Sequence, residues 1–150
     1  KIAQIKAAIE IGKRFLKEKS LSKIKVKTSK DIVKYFIPYM RDMKKEIFKA
    51  VLLDGKNKII KEVTISEGTL TKSIVHPREI LKEAVTELAA AIILIHNHPS
   101  GEPQPSQDDI EITNRIISAC ELVGIKVLDH IIIGDDNYFS FYDEGLIKEE

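Results

Sequence analysis

The chain has 150 residues, 43% of them hydrophobic and 31% charged, with a net charge of +1. That is the size and composition of one globular domain with room for a real core, and it excludes a disordered chain or a fibrous repeat. The single cysteine, Cys120, excludes an internal disulfide framework and fits a reducing cytoplasm, and no apolar run reaches the roughly 20 residues of a membrane span.

Residues 1–18 read as a helix, because Ile2, Ile5, Ala8, Ile9, Gly12 and Phe15 recur at helical spacing between charges. No leader-peptide pattern opens the chain. Lys19 to Ser29 is polar and reads as a linker. Ser29 is a candidate cap for a second helix from Lys30 to about Tyr39, carrying Ile32, Val33, Phe36 and Ile37. Glu46 to Leu53 and Ile59 to Ser66 read as strands joined by Asp54-Gly55-Lys56-Asn57, a strong hairpin signal. Leu70 to Ile74 is a candidate third short strand. Pro77 opens a helix to about Leu88, Ala90 to Ile95 is a buried strand, and His96 to Pro105 is a loop. Ser106 caps a long helix to about Val123, which Gly124 ends, and Ile125–Ile133 and Tyr138–Tyr142 close the domain as strands. The outline is a mixed α/β domain, residues 27–150, behind a helical lead-in and linker, residues 1–26.

Charge is unevenly spread. Residues 1–50 hold 15 Lys/Arg against 5 Asp/Glu, and residues 51–150 hold 9 against 18. A basic front half is compatible with nucleic-acid contact. The plainer reading, a solvated lysine-rich face, is favoured because no aromatic residues are interleaved for base stacking.

The chemistry concentrates at His96-Asn97-His98-Pro99. Side chains two apart on an extended segment share a face, so both imidazoles can reach one ion. Asp109 follows at the start of the next helix, where a carboxylate can fold back over the strand end. Two imidazoles and a carboxylate leave a fourth tetrahedral position for water, which is the catalytic rather than the structural pattern for zinc. Each piece alone has a plainer explanation. Paired histidines often only hydrogen-bond, Ser106-x-x-Asp109 is also a capping box, and Pro and Gly over 99–105 are turn chemistry. What those readings leave unexplained is why two histidines converge beside that cap.

His96-Asn97-His98-Pro99-Ser100-Gly101, Pro105-Ser106, Asp109 and Thr113 resemble the signature of the RadC family, JAB/MPN domains with the JAMM metalloprotease motif. His76-Pro77-Arg78-Glu79 and Leu128-Asp129-His130 are similar as well. The resemblance runs from about residue 27 to the C-terminus, and residues 1–18 resemble the tail of a preceding helical domain. It implies a JAB/MPN fold, related to that of the cytidine deaminases, and one zinc ion held by His96, His98 and Asp109. It implies Glu46 as the general base, on a strand face shared with Phe48, Ala50 and Leu52, and Ser106 as donor to the oxyanion. The expected function is a zinc metallopeptidase acting on a peptide or isopeptide bond of a protein substrate.

Lesser candidates are Glu79 as a second base, His76 and His130 as partners of the ligand imidazoles, and Asp108 as a rival ligand. For both histidines a satisfied structural role is the plainer expectation. Cys120 reads as core. A zinc deaminase is excluded, since its H-x-E and P-C-x-x-C signature is absent. A DNA-repair binding module with a structural or vestigial metal remains the alternative, in keeping with the label RadC proteins carry. A homodimer through the hairpin edges is compatible with such a domain.

Overall fold

The computed structural model describes residues 1–68 and 75–149. The strand expected over 70–74 lies outside the described residues. The elements run α1 (Ile2–Leu21), α2 (Ser29–Met40), β1 (Ile47–Leu53), β2 (Ile59–Glu67), α3 (Pro77–Thr86), β3 (Ala91–Asn97), α4 (Gln107–Leu122), β4 (Lys126–Ile133) and β5 (Tyr138–Ser140). Helices on both faces of a five-stranded mixed sheet make this the α/β class the pattern foretold.

The sheet order is β2-β1-β3-β4-β5. The β3–β4 pair is parallel, and the other three pairs are antiparallel. β3 is the central strand, and all seven of its residues are buried. That explains its unbroken apolar run: a strand covered on both faces has no solvent side to make polar. Its pleat divides the core in two. Ala91, Ile93 and Ile95 pack with Ile32, Val33, Phe36 and Met40 of α2, while Ile92 and Leu94 pack with Ile80 and Ala84 of α3 and Ile112, Ile116 and Cys120 of α4. His96 continues the second set and Asn97 the first.

Several boundaries move for identifiable reasons. The segment expected as a linker is helical through Leu21. Beyond that it is tied to the hairpin, because Val26 N–H donates to the Asn57 carbonyl and Ile59 N–H to the Ile24 carbonyl. Leu21 and Val26 bury their side chains, which anchors a stretch whose composition looks like that of a linker. The apolar stripe of α1 does predict a helix, but Ile2, Ile5, Ile9 and Phe15 are all more than half exposed. Thr28, not Ser29, caps α2, in a capping box with Asp31. Glu46 precedes β1 rather than opening it. β5 stops at Ser140 because Asp129 captures the following turn, accepting from the Ser140 hydroxyl at 2.6 Å and the Tyr142 amide at 2.9 Å. Among the described residues no helix is long and apolar enough to cross a membrane.

Candidate metal centre

The carboxyl end of β3 meets the amino end of α4, the place where α/β sheets collect ligands. Parallel pairing with β4 forces the chain to cross over through α4, so the 98–106 loop must turn directly above the strand end. Gly101, at φ +87°, makes that turn. Ser106 caps α4: its hydroxyl accepts from the Asp109 amide at 3.1 Å, while its own amide donates to Asp109 Oδ2 at 2.7 Å. The capping box is therefore real, and it aims Asp109 at the strand end. Accepting that bond uses a lone pair of the exposed Ser106 hydroxyl and leaves its proton uncommitted to the cap.

His96 Nε2 stands 3.0 Å from His98 Nε2. The same atoms lie 3.3 Å from Asp109 Oδ1 and 3.3 Å from Asp109 Oδ2 respectively. His96 and Asp109 are buried, and the His98 ring is largely so. This is a group of side chains that could hold a metal ion. Burial pushes the His96 pKa below the usual imidazole value, against the pull of Asp109. Burial also disfavours the charged form of His98, but hydrogen bonds to Asp109 and to the Glu102 carbonyl outweigh it and raise its pKa. Burial opposes ionisation of Asp109 too, yet the two histidines hold its pKa well below the carboxylate range.

The donor chemistry is one-sided. His98 Nδ1 lies 2.8 Å from the Glu102 carbonyl, which can only accept, so Nδ1 carries a proton. A neutral His98 therefore turns a bare Nε2 toward carboxylate oxygens that can only accept. Lone pairs converging in a buried space are stable only around a cation, whether a proton or a metal ion. The residues thus fit a metal ion.

Glu46 is half-buried immediately before β1. Its charge acts on both His96 and His98. The register explains this, since Phe48 of β1 faces His96 of β3 and Glu46 is two residues before Phe48. A residue given no role of its own in the sequence reading, Asn97, fixes this segment. The Ile47 amide donates to Asn97 Oδ1 at 2.7 Å, and Asn97 Nδ2 donates to the Lys45 carbonyl at 2.9 Å. The two bonds clamp the backbone on either side of Glu46. The only sequence signal was a polar residue enclosed by the motif at a position that had to be buried.

The other candidates separate cleanly. His76 caps α3, its Nδ1 accepting from the Arg78 amide at 3.2 Å, as the plainer reading expected. His130 departs from that reading. It is fully buried, and its Nε2 lies 2.7 Å from His96 Nδ1. Glu79 is exposed in the first turn of α3, and Asp108 is not among the converging ligands. Cys120 is buried, and burial pushes its thiol up to about 11.

An α/β domain with a histidine pair and a carboxylate at this strand end belongs with the JAB domains. Residues 26–146 match the RadC-like JAB domain family. A UPF0758 protein of Trichlorobacter lovleyi is 52% identical over 147 residues, covering 98% of this chain and 64% of the relative. UPF0758 proteins of Clostridioides difficile and Methanosarcina mazei are 50% and 47% identical, over 98% and 99% of this chain and 62% and 65% of theirs. The chain belongs to the RadC-like JAB family, and it spans less than two-thirds of the length of these relatives.

Proposed function

We propose that this domain is a zinc-dependent metallohydrolase that cleaves peptide or isopeptide bonds. The observation that carries the reading is the convergence of two imidazole nitrogens 3.0 Å apart, each 3.3 Å from a different oxygen of the buried Asp109 carboxylate. Ligands about 2.0–2.1 Å from one tetrahedral ion stand roughly 3.3 Å apart, so the spacing of the imidazole pair, and of each imidazole from the carboxylate, is close to that of a zinc site. His96 Nε2, His98 Nε2 and an Asp109 oxygen would hold the ion. Three protein ligands leave one position for water or substrate, as in catalytic rather than structural zinc sites. When bound, zinc supplies Lewis acidity, lowering the pKa of water toward about 7 and polarising a carbonyl.

The side chains divide the remaining work. Glu46, whose charge acts on both histidines, accepts a proton from the attacking water and returns it to the departing amine. The Ser106 hydroxyl donates to the oxygen on which negative charge develops. Asp109 and the buried His96 exclude solvent from the inner side of the pocket. The JAB family includes hydrolases, which supports the hydrolase reading.

Metal analysis of purified protein tests the ligand set: wild type should carry one zinc, and His98→Ala should carry none. Equal metal in both sinks the assignment. A peptide-library screen with zinc tests the chemistry, with Glu46→Gln as control. That variant should retain zinc and lose turnover, and unchanged turnover refutes Glu46 as the base.

A further inference from the structure

The two ligand histidines must each present a bare Nε2, and imidazole in water does not choose that form reliably. For His98 the Glu102 carbonyl makes the choice. For His96 the partner is another imidazole, which can donate or accept, so something further along must decide. We propose that Thr113 and His130 form a one-way hydrogen-bond relay that sets the tautomer of His96, holding its proton on Nδ1 and its lone pair on Nε2. The inference deepens the metal reading and rests on it only for its purpose.

The relay is read from its closed end. Thr113 Oγ1 lies 2.6 Å from the Asp109 carbonyl oxygen, which can only accept, so the single hydroxyl proton goes there. Thr113 Oγ1 also lies 2.5 Å from His130 Nδ1 and has only lone pairs left to offer it. His130 Nδ1 must therefore donate. A neutral imidazole has one N–H, so His130 Nε2 is bare. It accepts across 2.7 Å from His96 Nδ1, which must carry the proton of that ring. His96 Nε2 is then left bare, facing His98 and Asp109.

The surroundings keep the relay from reversing. His130 is fully buried and its two ring nitrogens face only Thr113 Oγ1 and His96 Nδ1, with no carboxylate against either to balance a charge, so the neutral ring is the form the site accommodates. Phe141 stacks on the His130 ring at 4.7 Å and Phe48 on the His96 ring at 5.7 Å, which fixes both ring planes. Thr113 is buried one turn after Asp109 in α4. The helix that supplies the carboxylate ligand thus also selects the form of the first histidine ligand. Thr113 and His130 are positioning residues: they act through His96.

Two-dimensional proton–nitrogen correlation through the imidazole carbons, on metal-stripped chain, reads the tautomers directly. The expected result is Nδ1–H with bare Nε2 for both His96 and His130. A proton on His96 Nε2 in the wild type overturns the proposal. Thr113→Val preserves shape and removes the acceptor. Its His96 signal should shift toward the Nε2–H form, and its zinc affinity, measured against a fluorescent chelator, should fall about 10- to 100-fold. Thr113→Ser keeps the hydroxyl and should restore both readouts. A folded Thr113→Val protein with wild-type tautomer and zinc affinity also overturns the relay. If the wild type shows the expected tautomers yet binds no zinc, the metal reading fails while the relay stands.

Discussion

Replacing Asn97 with alanine isolates what the middle residue of the motif does. Its side chain is buried, accepts from the Ile47 amide at 2.7 Å and donates to the Lys45 carbonyl at 2.9 Å. Two hydrogen bonds at about 1 kcal/mol each, plus some unrecovered desolvation of the Ile47 N–H, give a loss of roughly 2–3 kcal/mol. For a chain of this size that lowers Tm by about 4–12 °C. The loss should also be local. Amide exchange at Ile47 should accelerate at least about tenfold relative to amides in the middle of β3, because the clamp beside Glu46 opens before the central strand does. Zinc content should be unchanged, since Asn97 faces away from the ligands. Thermal unfolding and residue-resolved hydrogen exchange measure the two effects. An unchanged Ile47 exchange rate in a folded variant would refute the clamp.

Gly134→Ala should disturb the metal loop from a distance. A Cβ there would lie 2.3 Å from the Gly101 carbonyl oxygen and 2.4 Å from Asn137 Oδ1, so the 98–101 turn must shift. A cost of about 1–3 kcal/mol in thermal unfolding and weaker zinc binding are expected; wild-type stability would show that the loop yields freely. Zinc at about 100 times its Kd should stabilise the wild type by about 2.7 kcal/mol, and His98→Ala should abolish the shift. Cys120, buried with its thiol pushed up to about 11, should resist alkylation at pH 8 unless denaturant is added. Its modification at the rate of an exposed thiol would contradict the packing of α4.

The elements were readable where one physical preference dominated. The apolar run 91–95 required burial on both faces, Asp54-Gly55 required a hairpin turn, and Ser106 with Asp109 required a helix start. Ambiguity fell where the signal depended on a neighbour. The stripe on α1 carries the period of a helix, but period alone does not say what covers it. The 19–29 stretch has the composition of a linker, yet backbone pairing with the hairpin holds it in place.

The same division runs through the site. His96, His98 and Asp109 were legible because their spacing, within 14 residues, is a local property of a strand, a turn and a capped helix. Asp109 shows that a cap and a candidate ligand are not alternatives, since the cap is what aims the carboxylate. The roles of Asn97 and Thr113 were not legible, and His130 stood as a partner of the ligand imidazoles only behind a plainer structural role. His130 is 34 residues from His96 and reaches it only because β3 and β4 pair in parallel with Leu94 opposite His130. Sequence by itself determined which groups could bind a cation. Tertiary structure decided which atom of each group faces it, because a hydrogen bond's direction depends on the partner that packing brings within reach.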